Sequence, residues 1–272
     1  MTKTFKDIYI GYIAALVAVL VLVLFVVPAS INRWIRLAAA IVLLGAIAFV
    51  AVKLTQKRIL VFNEPIENCR MREGIANLRK ITDKTLDENS RIMFRLNEAT
   101  ALTDLGEYDE ALGILDGLKV PEKHSPREMY LQAIYQYEQC RAHAESGDPE
   151  TAEMHLTTLN YILGDLKFRE PMLSRMIRNA KMADKRLDLL ADDYEGAYDA
   201  YKDFIEKAES LRVIVACRYR LAEVCLHDGR NDEALENMEF VAKYGGDTVY
   251  AKKARLFLAE QEKGAEMSGG AE

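Results

Sequence analysis

Small residues recur along this chain at the spacing of one helical hairpin, and that recurrence limits the fold more than any other feature. The clearest copy is Leu102 to Leu118. There one predicted helix ends at Gly106, and a second begins at Tyr108 with Ala111 three positions on. Leu115 and Leu118 follow at helical spacing. Gly74, Ala152, Ala197 and Ala234 stand in the same register, each with large apolar residues four and seven positions later. The spacings from Gly74 onward are 37, 41, 45 and 37 residues. A small side chain lets the second helix of a hairpin approach the first, and the residues four and seven later fill the gap to the next hairpin. One such hairpin cannot bury its apolar face alone, so the units must stack. Ala99, Cys140 and Ala222, each seven before a turn glycine, supply the matching small residue on the first helix.

These motifs, Gly106-Glu-Tyr108-Asp-Glu-Ala111 above all, resemble the tetratricopeptide repeat. The best matching units are 92–125 and 215–248, and the resemblance covers 66–264. It departs at Arg95 and Arg218, where the family carries a bulky residue, and at His143 and Pro149 of the 133–166 unit. The resemblance implies an α-solenoid whose first helices line a concave, partner-binding face. By the family's inward positions the groove would hold Met93, Leu96 and Thr100, then Tyr137 and Arg141, then Met182 and Arg186, then Tyr219 and Glu223. Tyrosine and arginine are common at binding hot spots. Leu96 and Thr100 stand where chaperone-binding members of the family have a Lys and an Asn, so that specific role is disfavoured.

Two apolar runs precede the repeats. Ile8 to Val27 carries no charge, and Trp34 to Leu54 is uncharged from Leu37 to Val52. At about 1.5 Å per residue the first matches a hydrocarbon core of about 30 Å. The expectation is a transmembrane hairpin over 1–58, with spans at 8–27 and 34–54, a repeat domain over 59–264 and a disordered tail over 265–272. Lys3 and Lys6 before the first apolar run and Lys53, Lys57, Arg58, Arg70 and Arg72 after the second, against Arg33 and Arg36 at the connection, predict an integral membrane protein with both termini and the repeat domain cytoplasmic. The short run Arg58 to Phe62 reads as the exit from the second span, with Asn63 capping a new helix. Asp87 or Ser90, Ser125 and Ser210 are the caps expected further on.

Residues 1–58 balance at +6 and the remainder at −12. A domain that acidic is a poor binder of nucleic acid, which is held by Lys and Arg. No two of the four cysteines form a CxxC pair, and Cys217 and Cys225, about 12 Å apart along one helix, cannot bridge. None of the four histidines has metal-ligand spacing, and Asp184, Asp188, Asp192 and Asp193 read as a solvated helix end. There is no nucleophile elbow, phosphate loop or dinucleotide fingerprint. The expectation is therefore all-α, without cofactor, metal or catalysis: a membrane-anchored scaffold or adaptor that binds a protein or peptide partner. The alternative is an accessory subunit of a membrane transport, secretion or envelope-biogenesis complex, in which the transmembrane hairpin also binds partners.

Overall fold

In the computed structural model the described residues are 11, 14–18, 33–85, 87–122, 125–165 and 170–269. Every regular element among them is a helix. In chain order these are α1 (Arg33–Glu67), α2 (Met71–Thr82), α3 (Glu88–Leu105), α4 (Tyr108–Asp116), α5 (Pro126–Ser146) and α6 (Pro149–Asp165). Then come α7 (Glu170–Leu190), α8 (Ala197–Glu206), α9 (Leu211–His227), α10 (Asn231–Tyr244) and α11 (Val249–Gly269).

The register of small residues sets the hairpins. Ala111, Ala152, Ala197 and Ala234 are all fully buried, as are Ala99, Cys140 and Ala222 on the facing first helices. Gly106 ends α3 in the left-handed region at φ 85°, and its successor's N–H donates to the Leu102 carbonyl. Large residues fill the interfaces between hairpins: Leu78, Leu115, Leu159, Phe204 and Val241 are buried or nearly so. Each contributes on the order of 2 kcal/mol by leaving water. The result is a solenoid-like stack, α3/α4 on α5/α6 on α7/α8 on α9/α10.

The N-terminal expectations require correction. Among the described residues no helix is long and apolar enough to cross a membrane. The expected second span falls within α1, whose sequence is uncharged only from Leu37 to Val52, about 24 Å of helix against a hydrocarbon core of about 30 Å. The expected first span, 8–27, lies mostly outside the described residues. The transmembrane hairpin, the crossing of a lipid bilayer and the integral-membrane location with both termini cytoplasmic are therefore not retained. Nor does the chain leave a helix at Arg58–Phe62. α1 continues unbroken through Asn63 and Pro65 to Glu67, and Cys69 then turns it at φ 60°. Asn63 consequently caps nothing; its side chain accepts from Asn97 at 3.1 Å.

That continuation supplies a partner for Gly74. The end of α1 packs on α2 so closely that a Cβ on Gly74 would lie 2.3 Å from Ile66 Cγ1. The last turns of α1 are the first helix of the first hairpin. Of the expected caps, Asp87 and Ser125 accept from the N–H of Ser90 and Glu128, whereas the Ser210 side chain makes no capping bond. α11 runs on to Gly269, into the stretch expected as tail.

The stack also closes on itself. Asp247, between α10 and α11, accepts from the N–H groups of Met71 and Arg72 at 2.7 and 3.0 Å, so its carboxylate covers the start of α2. Its own N–H donates to the Cys69 carbonyl at 3.2 Å. Lys252 of α11 donates to the Leu105 carbonyl. Beneath this seam a single apolar cluster joins Ile66, Met71 and Leu102 from the first hairpins to Val215, Met238 and Tyr250 from the last.

Candidate functional site

Closure turns the inner face of the array into an interior, and charged side chains meet there in a repeating register. Asp104 and Glu145 each stand two residues before a turn glycine, Gly106 and Gly147. Arg141 stands six before Gly147. Arg186 stands six before Asp192, which turns the end of α7 at φ 58° much as a glycine would. The acid of one hairpin pairs with the arginine of the next. Arg141 Nη1 donates to Asp104 Oδ1 at 3.2 Å, and Arg186 Nε donates to Glu145 Oε1 at 3.0 Å.

Two further arginines, eight residues apart on α9, close the ladder from the far side. Arg212 Nη1 reaches Asp104 Oδ2 at 3.1 Å. Arg220 Nη2 reaches both oxygens of Glu145 at 2.6 and 2.5 Å. Each ladder acid is thus held between two guanidiniums and is almost wholly buried, with 1% of the Asp104 side chain and 5% of the Glu145 side chain exposed. Burial alone would raise the Glu145 pKa, but Arg220 and Arg186 outweigh it and hold the carboxyl down to about 2.

Arg141, Arg186, Arg212 and Arg220 line a cavity of about 60 Å³ together with Tyr137, Met182, Tyr201 and Tyr250. A second cavity, of about 140 Å³, shares Tyr137 and Arg212 with it and is lined by Thr100, Glu138 and Asn179 among others. Of the residues expected to form a groove, Tyr137, Arg141, Met182 and Arg186 meet in the first cavity and Thr100 lies in the second. The remaining four lie elsewhere. Leu96 is buried in the apolar cluster between α3 and α5, with Met93 packed against it. Tyr219 is buried with its ring 5.4 Å from that of Tyr250. Glu223 accepts from Arg220 at 2.7 Å. The first cavity has room for about four to six waters, too little for a peptide strand.

The sequence reading missed Asp104, Glu145, Arg212 and Arg220. The first two carried a signal, since the same acid position precedes the turn glycine in successive units and an arginine follows one repeat later.

The remaining candidates are structural. His143 and His155 stack with ring centres 5.6 Å apart and bond to Asp148 and Gln136, respectively. All four cysteines are buried and free, and burial raises the thiols of Cys69, Cys140 and Cys217 to about 12. Among the described residues no three His, Cys, Asp or Glu side chains converge as a metal-ligand set. No family model, curated protein or solved structure matches the chain.

Proposed function

We propose that this chain is a non-catalytic scaffold of tetratricopeptide-like hairpins whose task is to hold a protein partner. The observation that carries the reading is the surface of α1. Ile35, Ile41, Val42, Leu43 and Val50 leave between 42% and 73% of their surface exposed along one helix. An exposed apolar run of this extent marks a surface that is covered in use. The small cavity inside the ring argues against a peptide laid across the inner face, so the partner surface moves to α1. The repeats then serve as a rigid base from which α1 extends, since its last turns are built into the first hairpin.

The test is affinity capture with the full chain and with Ile35→Gln/Val42→Gln/Val50→Gln, a variant that keeps helix-forming residues. A protein recovered by the unaltered chain and lost from the variant, with the helical content of both equal by circular dichroism, is the expected result. An identical set of recovered proteins would count against α1 as the partner surface.

A further inference from the structure

The first interior cavity is rich in hydrogen-bond donors and poor in acceptors. Arg186 uses only its Nε, toward Glu145, and its two Nη groups meet no acceptor among the described residues. Arg212 donates only through Nη1. The hydroxyls of Tyr137, Tyr201 and Tyr250 bond to nothing among the described residues, although these side chains are between 2% and 7% exposed and all three line the cavity. Among the described residues the one carboxylate in the lining, Glu145, already has both oxygens taken by Arg220.

The charges around the cavity are paired, so what the cavity offers is unused donor groups rather than net charge. The four guanidiniums pair with three well-buried carboxylates, Asp104, Glu138 and Glu145. Glu67 and Glu223, at the edge of the network, give Arg212 and Arg220 a further carboxylate each. Arg212 Nε is buried without an acceptor, and the Nη groups of Arg186 and the three hydroxyls have no acceptor among the described residues, so the lining holds several unused donors. An acceptor-only anion suits a lining of this kind. Guanidinium pairs suit the planar or tetrahedral oxygens of carboxylate and phosphate.

We propose that this cavity is a binding site for a small free oxyanion, of the size of inorganic phosphate or a short carboxylate. Arg186 and Arg212 supply the charged donors, and the three tyrosine hydroxyls supply the neutral ones. Burial raises the pKa of all three tyrosines, so they remain protonated donors at neutral pH. Because Arg186 also joins α7 to α5 and Arg212 joins α9 to α3, occupancy would tighten the closed ring. The inference is independent of the partner surface on α1.

The full chain is melted in increasing inorganic phosphate, in acetate, and in sodium chloride at matched ionic strength. The expected result is a saturable rise in Tm with phosphate or acetate that chloride does not reproduce. Two variants preserve the packing while altering the donors: Tyr201→Phe/Tyr250→Phe and Arg186→Lys. Either should weaken the half-saturating concentration about tenfold, while Lys202→Gln on the outer surface leaves it unchanged. Calorimetric titration with the same anions provides the second readout. A rise equal to that in chloride would mean that water alone fills the cavity and would overturn the proposal. So would a saturable rise that both variants leave unaltered, since the anion would then sit elsewhere.

Discussion

Glu145 shows how a single residue joins parts of the chain that are far apart in sequence. Its carboxylate takes Arg186 from the next hairpin and Arg220 from α9, 75 residues on. With its pKa depressed from an ordinary 4.5 to about 2, it stabilises the fold fully above pH 4.5 and loses that contribution as pH falls toward 2. The difference corresponds to on the order of 3 kcal/mol. Glu145→Gln keeps the shape and removes the charge. It is expected to lower stability at pH 7 by about that amount, because two buried arginines lose their counter-charge. The gap between variant and unaltered chain should close as both are unfolded in urea at successively lower pH. A gap that stays constant from pH 7 to pH 3 would mean that the carboxylate is not held as described. The small residues of the hairpins are legible in the sequence because each acts on its nearest neighbours in the chain, at a fixed spacing. The partners of Glu145 are not, since spacing within one repeat gives no sign of which distant arginine will arrive.

Among the elements, α1 and α4 illustrate what local pattern can and cannot reveal. The pattern places Gly74 in the small-residue register but finds no first helix for it. A charge-rich stretch, Lys53 to Arg58, separates the apolar run from Ile66 and has the look of a boundary. It is helix throughout, because no proline lies between Leu37 and Glu64 and tertiary packing at Ile66 holds the helix end. Ser210 is the cap expected for α9, and the chain does enter extended there, yet the hydroxyl bonds to no α9 amide. Caps depend on a side-chain rotamer that sequence does not fix. Two glycine substitutions separate packing from propensity. Gly113 lies within α4 with nothing within 4 Å of where an added methyl would sit, so Gly113→Ala should raise stability by up to about 1 kcal/mol. Gly74→Ala gains the same propensity, but its methyl would meet Ile66 at 2.3 Å, and overpacking of that kind costs about 1–3 kcal/mol. Gly74→Ala is therefore expected to be net destabilising in chemical denaturation, and a stabilised Gly74→Ala would show that α1 does not dock on α2.

At the scale of the molecule the decisive feature is closure, and no stretch of sequence announces it. An open and a closed array share the same hairpins. What differs is the accumulated rotation from one hairpin to the next, set by helix lengths and loops that vary between units here from 37 to 45 residues. The seam itself is small. Gly246 sits at φ 57°, and a Cβ there would lie 2.1 Å from the Cys69 carbonyl oxygen, so only glycine lets the two loops meet. Asp247 then gives α2 the carboxylate that its own preceding residue, Arg70, does not provide. Removing a cap of this kind costs about 1–2 kcal/mol. Asp247→Ala should therefore speed hydrogen exchange at the Met71 and Arg72 amides while leaving α5 and α6, on the far side of the ring, protected. Gly246→Ala strikes backbone against backbone and should go further, exposing Tyr219 and Tyr250 and enlarging the particle seen by small-angle scattering. Because Arg212 and Arg220 reach Asp104 and Glu145 only when α9 is drawn to α3 and α5, an opened seam should also reduce the low-pH stability change that depends on Glu145, leaving Arg186 to hold it. If Gly246→Ala melts as a closed ring with its acid dependence intact, then the arginine ladder, and not the loop contact, holds the two ends together.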